Sequence, residues 1–262
     1  MINETLGIIG GTGWLGGAIA KAVLAKVLLP AGNLVISNRS GSHPLAQRGV
    51  CLVTDNQDLV NRSDIVIIAV RPEHFASLNI NATGKTIISL MAGITAQAIA
   101  GQTSASAVVR AMPNAAVEIE QSFTPWYCFG EIGATTRSLV QRLFECVGTA
   151  AEVQQEDFID YLSALSGTGP AFPALLMTAL ANQAIVAGIP AEIAHLAAKN
   201  VVVNSSQLLV SRDARQIIDN LVAYRGVTAA ALQAMTQGHF EEQIGRALQE
   251  GAAVARKGLQ AR

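Results

Sequence analysis

Charge is scarce in this sequence. Asp, Glu, Lys and Arg make up 14% of its 262 residues, against about 25% in a typical soluble domain. Hydrophobic residues make up 50%, which excludes a disordered chain, because disorder goes with high charge and little apolar content. The 18 basic and 19 acidic side chains leave a formal net charge of −1. No nucleic-acid ligand is expected, since a phosphate backbone asks for a basic face. So little charge leaves the surface to Ala, Gly, Ser, Thr, Asn and Gln, or to a partner subunit, and points to an oligomer.

Other absences narrow the class further. The three cysteines, Cys51, Cys128 and Cys146, are an odd number without metal-ligand spacing. They read as reduced thiols of a cytoplasmic protein. His43, His74, His195 and His239 are scattered, so no metal site is expected. No unbroken apolar run reaches the roughly 18 residues that a membrane helix needs. The longest runs, residues 64–70 and 86–94, suit buried strands. Residues 1–6 carry Glu4 and no basic stretch, unlike a signal peptide. No membrane partner is expected.

The first half of the chain alternates short apolar runs with amphipathic stretches. Runs at residues 5–9, 33–36, 50–53, 65–70, 86–90, 107–111, 122–128 and 149–153 predict strands. Residues 65–70 show no polar alternation, as expected of a strand buried on both faces of a parallel sheet. Helical spacing at residues 14–27, 59–62 and 137–146 falls between them. Alternating strands and helices imply an α/β fold with a Rossmann-type doubly wound sheet. From about Glu156 onward the β pattern stops. Ala- and Leu-rich stretches at 170–187, 191–211, 214–222, 228–235 and 240–258 predict an all-α domain. The expected organisation is a dinucleotide-binding domain over residues 1–156 and a helical substrate and dimerisation domain over 157–262.

Gly11-Thr12-Gly13-Trp14-Leu15-Gly16 is a G-x-G-x-x-G directly after the first strand and opening the first helix. That context makes it a dinucleotide fingerprint rather than a glycine turn. Gly11 is expected to permit the tight turn, Gly13 the approach of the pyrophosphate, and Gly16 close helix–strand packing. The helix N-terminus supplies unpaired N–H groups. An acidic residue after the second strand would hold the ribose 2′-hydroxyl of NAD. Here that place is taken by Ser37, Asn38, Arg39 and Ser40. Hydroxyls, an amide and a guanidinium suit a 2′-phosphate, so NADP(H) is favoured over NAD(H).

Together with three later segments, these residues resemble the pyrroline-5-carboxylate reductase family, and the similarity spans nearly the whole chain. Ala69-Val70-Arg71-Pro72 is similar to the family's Ala-Val-Lys-Pro loop beside the nicotinamide half of the cofactor. Asn56 stands where the family has an asparagine near the adenosine ribose. Arg110-Ala111-Met112-Pro113-Asn114 matches its Arg-x-Met-Pro-Asn segment. Ser166-Gly167-Thr168-Gly169-Pro170-Ala171-Phe172 is close to its Ser-Gly-Ser-Gly-Pro-Ala-aromatic segment. The resemblance implies NADPH-dependent reduction of 1-pyrroline-5-carboxylate to proline, with Ala69, Val70, Arg71, Pro72, Asn56 and Asn114 on the cofactor.

The sequence departs from the family where it usually reads Ser-Pro-Gly-Gly-(Thr or Ala)-Thr. It has Ala223-Tyr224-Arg225-Gly226-Val227-Thr228. In the family this turn holds the substrate carboxylate, and its threonine lies near the imine nitrogen. The resemblance thus implies substrate binding by Arg225, Gly226, Val227 and Thr228, with Thr228 as the catalytic hydroxyl. Without a glycine at 225 the turn is expected to lose easy access to positive φ and to change shape. Arg225 either contacts an anionic substrate or faces solvent or a subunit.

The β-hydroxyacid dehydrogenases share this plan but need a lysine on the first helix after the boundary. Residues 167–183 contain none. Imine reduction asks for no such base, because the cofactor carries the hard step. The altered turn leaves two alternatives, a reductase of another cyclic imine acid and a non-catalytic dinucleotide-binding paralogue. Within the helical half, residues 162–191 carry no charge at all. In the family this half forms an interlocked homodimer, so a dimer through residues 160–260 is expected.

Overall fold

Runs of Val, Ile and Leu too short and too uniformly apolar to make surface helices become the strands of one sheet. In the computed structural model, which describes residues 4–257, these are β1 (Leu6–Ile9), β2 (Leu34–Ser37), β3 (Cys51–Val53), β4 (Ile65–Ile68), β5 (Thr86–Ser89), β6 (Ala107–Ala111), β7 (Ser122–Phe129) and β8 (Gly148–Glu152). Their order is β3-β2-β1-β4-β5-β6-β7-β8. Strands β1 to β6 are parallel to one another, β7 runs antiparallel to β6, and β8 is parallel to β7. The order reverses between β1 and β4, which makes their carboxyl ends the topological switch point where open α/β sheets bind ligands.

Helices cover both faces, which is why the inner strands show no alternation. Helices α1 (Trp14–Ala25) and α4 (Ala134–Glu145) bury Ile19, Val23, Leu139 and Phe144 against Ile8, Ile36 and Ile67. Helices α2 (Asn56–Arg62) and α3 (Ala96–Thr103) bury Leu59, Ala96 and Ile99 against Ile9, Val66 and Ile87 on the other face. Trp126 on β7 is buried and donates its indole N–H to Gln141 Oε1 at 2.9 Å. It is a core residue. The α/β doubly wound class read from the sequence is the one observed.

The first compact unit extends beyond residue 156. It contains α5 (Glu156–Leu162) and the π-turn Ser163–Gly167, ends at Thr168, and takes in the chain again from Glu250. The second unit, Gly169–Gln249, is all helical. It is built of α6 (Ala171–Val186), α7 (Ala191–Lys199), α8 (Ala214–Ala223), α9 (Val227–Gln237) and the first part of α10 (Phe240–Lys257). Gly188, at φ +90°, turns the chain after α6, and Pro190 precedes α7. Asp213 caps α8 by accepting the Gln216 N–H at 2.9 Å. Large apolar side chains of this unit face outward, among them Leu175 at 69% and Val186 at 80% exposure.

One expectation needs correction. Within the helical stretch Glu156–Val186, an 18-residue window with a mean hydropathy of 1.3 is long and apolar enough by length and composition alone to cross a membrane. Counting unbroken apolar residues passes over it, because Ser, Thr, Gly and Asn interrupt its Ala and Leu without adding charge.

Candidate functional site: a glycine cradle, a latched sheet edge and an uncapped helix start

Four glycines shape the turn between β1 and α1. Gly10 holds φ at +79°, in the left-handed region, and a β-carbon there would stand 2.9 Å from the Ala69 carbonyl oxygen. A β-carbon on Gly11 would meet Ile36 Cγ2 at 2.7 Å, and one on Gly16 would meet the Gly10 oxygen at 2.6 Å. The Gly13 N–H closes the turn on the Gly10 oxygen at 2.9 Å. The left-handed residue is therefore Gly10, not Gly11. Gly11 must be small because the second strand lies against it. Gly13 caps α1 without a side-chain hydrogen bond, and the first turn holds no acidic residue. The helix start thus lies beside Thr12, Gly13 and Trp14, all exposed, while Leu15 packs on the core. The Trp14 indole donates to a Glu118 carboxylate oxygen.

The loop after β2 is tied by its own polar groups. Asn38 accepts the Gly41 N–H at 2.7 Å and donates to the Ser42 carbonyl at 2.9 Å, and the Ser40 hydroxyl donates to the same carbonyl at 3.1 Å. The Ser37 hydroxyl donates to Asn56 Oδ1 at 2.7 Å, which joins two of the expected cofactor residues. Arg39 is exposed and has no ion-pair partner among the described residues. Beside β1, the Ala69 N–H donates to the Ile9 carbonyl at 2.9 Å, so Ala69 and Val70 leave the sheet at the switch point. Arg71 is exposed and lies 3.6 Å from Glu73, and Pro72 opens a short 3-10 helix.

A buried charge cluster at the carboxyl end of β6 is the feature that the sequence reading did not draw out. Arg110 is 2% exposed. Its Nη1 meets Glu156 at 2.8 Å and its Nη2 meets Asp160 at 2.9 Å, while Nε has no partner among the described residues. Burying charges costs several kcal/mol per ion before pairing offsets it. The signal was present: an arginine inside the apolar run Ala107–Ala111, and acids spaced four apart at the start of α5. Four residues on, Asn114 donates to the Ser166 carbonyl at 2.9 Å and accepts the Ala116 N–H at 2.9 Å.

In the helical unit the turn before α9 is left-handed at Arg225 despite the missing glycine. Arg225 sits at φ +52°, a conformation that costs a non-glycine residue roughly 1–2 kcal/mol. Arg225 thus reaches positive φ although it is not glycine. Gly226 is the N-cap of α9, so Thr228 is the second helical residue and not the cap. The Thr228 hydroxyl makes no hydrogen bond among the described residues, and the first turn of α9 has no side-chain cap and no acid. Arg225, Gly226, Ala229 and Ala230 line a concave surface of about 1390 Å³ with residues of α8 and α10. Tyr224 is 87% exposed, which excludes core packing for it in this chain.

The thiols are unpaired. Burial raises the pKa of Cys128 against a smaller lowering by Arg137, and burial likewise raises that of Cys146. Both stay as neutral thiols near neutrality.

Comparisons with known proteins agree with this geometry. Residues 156–258 match the protein-family model described as pyrroline-5-carboxylate reductase dimerisation, and residues 5–93 match the one described as NADP oxidoreductase, coenzyme F420-dependent. A pyrroline-5-carboxylate reductase of Synechocystis is 29% identical over 252 residues, covering 91% of this chain and 92% of the relative. Among solved structures, a pyrroline-5-carboxylate reductase of Coxiella burnetii has the same fold, with a TM-score of 0.86, 24% identity and 98% coverage of both chains. A pyrroline carboxylate reductase of Plasmodium falciparum with NADP bound has a TM-score of 0.80 at 22% identity, again with 98% of both chains covered. With a doubly wound sheet, a glycine cradle and a helical second unit, the chain is similar to pyrroline-5-carboxylate reductases along nearly its whole length, and its helical half matches their dimerisation domain.

Proposed function

We propose that the chain is an NADPH-dependent reductase of a C=N bond, reducing 1-pyrroline-5-carboxylate to proline in the last step of proline biosynthesis. The observation that carries this reading is the uncapped start of α1 walled by Gly10, Gly11 and Gly16, where added β-carbons would collide with backbone or Ile36. Such a cradle admits a pyrophosphate against free N–H groups. The residues present fit the cofactor. Gly11, Thr12, Gly13, Trp14, Leu15 and Gly16 would surround the diphosphate. Ser37, Asn38, Arg39 and Ser40 would hold the 2′-phosphate, with Asn56 on the ribose. Ala69, Val70, Arg71, Pro72 and Asn114 would line the nicotinamide half. The unpaired Arg39 guanidinium favours the phosphorylated cofactor.

NADPH, when bound, supplies the hydride. The chain's own part is positional. The N–H groups of Gly226, Val227 and Thr228 at the start of α9 would hold the substrate carboxylate, with Arg225 beside them. The Thr228 hydroxyl, free of an internal partner, would stand at the imine nitrogen and hold its proton in place. A cyclic imine is already polarised, so orientation and exclusion of water do most of the work. No lysine is needed on the helix after the boundary, and none is there.

We assign residues 1–156 to dinucleotide binding and 157–262 to substrate binding and assembly; the dimerisation match begins at residue 156. Homo-oligomerisation follows from that match. A homodimer, covering the outward apolar side chains of α6 against a second copy rather than lipid, is our reading of its form. A cytoplasmic location goes with three unpaired thiols. Tyr224 and Arg225 at the substrate turn favour, as a second reading, a different cyclic imine acid.

The test is NADPH oxidation with pyrroline-5-carboxylate, beside six-membered and sulfur-containing imine acids. Turnover with the first supports the proposal, and preference for another shifts the substrate. NADPH binding without turnover of any imine leaves a non-catalytic dinucleotide-binding protein. Thr228→Ala is expected to lower turnover far more than NADPH affinity; equal losses of both would remove the role given to Thr228.

A further inference from the structure

We propose that Arg110 is a positioning residue, whose buried guanidinium forks to Glu156 and Asp160 and so sets the π-turn Ser163–Gly167 against Asn114 at the carboxyl edge of the sheet. Its kinetic consequence rests on the reductase reading above; its structural consequence does not.

The argument starts on β6. Arg110 lies in register with Ser89 of β5 and Tyr127 of β7, one strand position before β6 ends. From there its Nη1 and Nη2 reach Glu156 and Asp160, one turn apart on α5. Residues four apart share one face of a helix. Two bonds on that face fix the rotation of α5 as well as its height, which a single contact would leave free. Glu156 also accepts the Ala96 N–H at 2.7 Å, so the starts of α3 and α5 converge on the same carboxylate. A guanidinium can bridge two carboxylates in this way, whereas an ammonium acts as a point charge.

What α5 leads into explains why its rotation matters. The helix widens directly into the π-turn, and π-turns occur frequently at functional sites. Two hydroxyls satisfy carbonyls there, Ser163 donating to Ile159 at 2.6 Å and Ser166 to Leu162 at 2.7 Å. The Ser166 carbonyl accepts from Asn114. Ala164 is buried, and a β-carbon on Gly251 would come within 2.8 Å of its side chain. The turn is therefore confined on both sides, with its exposed edge at Gly167 and Thr168 and its inner edge on Asn114. Arg110 and Asn114, four residues apart, hold α5 and the turn that follows it from one strand end. An apolar side chain could fill the space taken by Arg110 and often does so with better stability. It would not fix orientation.

The experiment combines amide hydrogen exchange with steady-state kinetics on the full chain, using Arg110→Lys and the double variant Glu156→Gln/Asp160→Asn. The double variant keeps an acceptor at each position while removing both charges. Expected is a rise of about tenfold or more in exchange of amides 163–168, set against unchanged strand amides. Expected with it is a fall in kcat of about 10-fold to 100-fold, with NADPH affinity kept within about twofold, the pattern of a misplaced wall rather than a lost binding group. Unchanged exchange at 163–168 in both variants overturns the proposal, as does a rise shared equally by every strand. Failure of both variants to fold would reduce Arg110 to a plain core anchor and overturns it too. If the native chain turns over no imine acid, the reductase reading fails, and the exchange result still decides the role of Arg110.

Discussion

Gly16 on α1 and Gly10 at the end of β1 approach so closely that a β-carbon on Gly16 would stand 2.6 Å from the Gly10 carbonyl oxygen. The contact brings the first helix onto the first strand and leaves its free N–H groups at the switch point. Gly16→Ala must push helix from strand, because backbone cannot rotate away as a side chain can. The expected cost is about 1–3 kcal/mol, the range for overpacking. NADPH affinity is expected to fall by at least about tenfold, since a tenfold change is about 1.4 kcal/mol. Fluorescence titration with NADPH reads this, and wild-type affinity would contradict the packing argument.

The cofactor's 2′-phosphate should be read by Arg39. Hydrogen bonds to a charged group contribute about 1.5–3 kcal/mol. Arg39→Ala is therefore expected to weaken NADPH by about tenfold or more while leaving NADH nearly unchanged. Equal losses for the two cofactors in parallel titrations would remove Arg39 from phosphate recognition.

Arg225 holds a left-handed conformation that suits glycine. Relieving it by Arg225→Gly should stabilise the helical unit by about 1 kcal/mol, less what the extra freedom of glycine in the unfolded chain takes back. Thermal unfolding measures the gain. If Arg225 also holds the substrate anion, the same variant raises KM. A lower melting temperature would mean that the side chain makes stabilising contacts in the assembled protein.

The half-buried Cys128 and the buried Cys146 give a pH dependence of definite sign. Burial raises the pKa of Cys128 and Cys146 in the folded chain above the ordinary thiol value. The stability this contributes is fully present below the unfolded-state pKa and is lost as pH rises through the raised folded value. Stability should decline on the alkaline side of the ordinary thiol range, and Cys128→Ser/Cys146→Ala should flatten that decline. Denaturant titrations at a series of alkaline pH values check it.

The outward apolar side chains of the helical unit should be covered in solution. Sedimentation of the native chain is expected to give a dimer or a multiple of it, and Leu175→Glu should weaken the assembly. A stable, active monomer of the native chain sinks this reading.

Much of the fold was legible because its signals are local. Unbroken runs such as Ile65–Ile68 have nowhere to lie but between two layers of helix, and the fingerprint at Gly11–Gly16 occurs only where a strand gives way to a helix. Other features depend on what comes near in space. Ile36 dictates a small residue at Gly11, and Ala69 confines Gly10, yet neither neighbour adjoins in sequence. The anomaly of Arg110 inside an apolar strand could be seen, but its partners stand 46 and 50 residues away.

By itself the sequence determined the doubly wound class, the glycine turn between the first strand and helix, and the change to a helical half that opens on an uncharged stretch, since periodicity and composition fix which faces need burial. Tertiary structure alone decided which glycine turns left-handed, that Arg225 takes a left-handed conformation before α9, and how Arg110 and Asn114 hold the π-turn. Those outcomes rest on distances between segments far apart in the chain, and a linear pattern does not contain them.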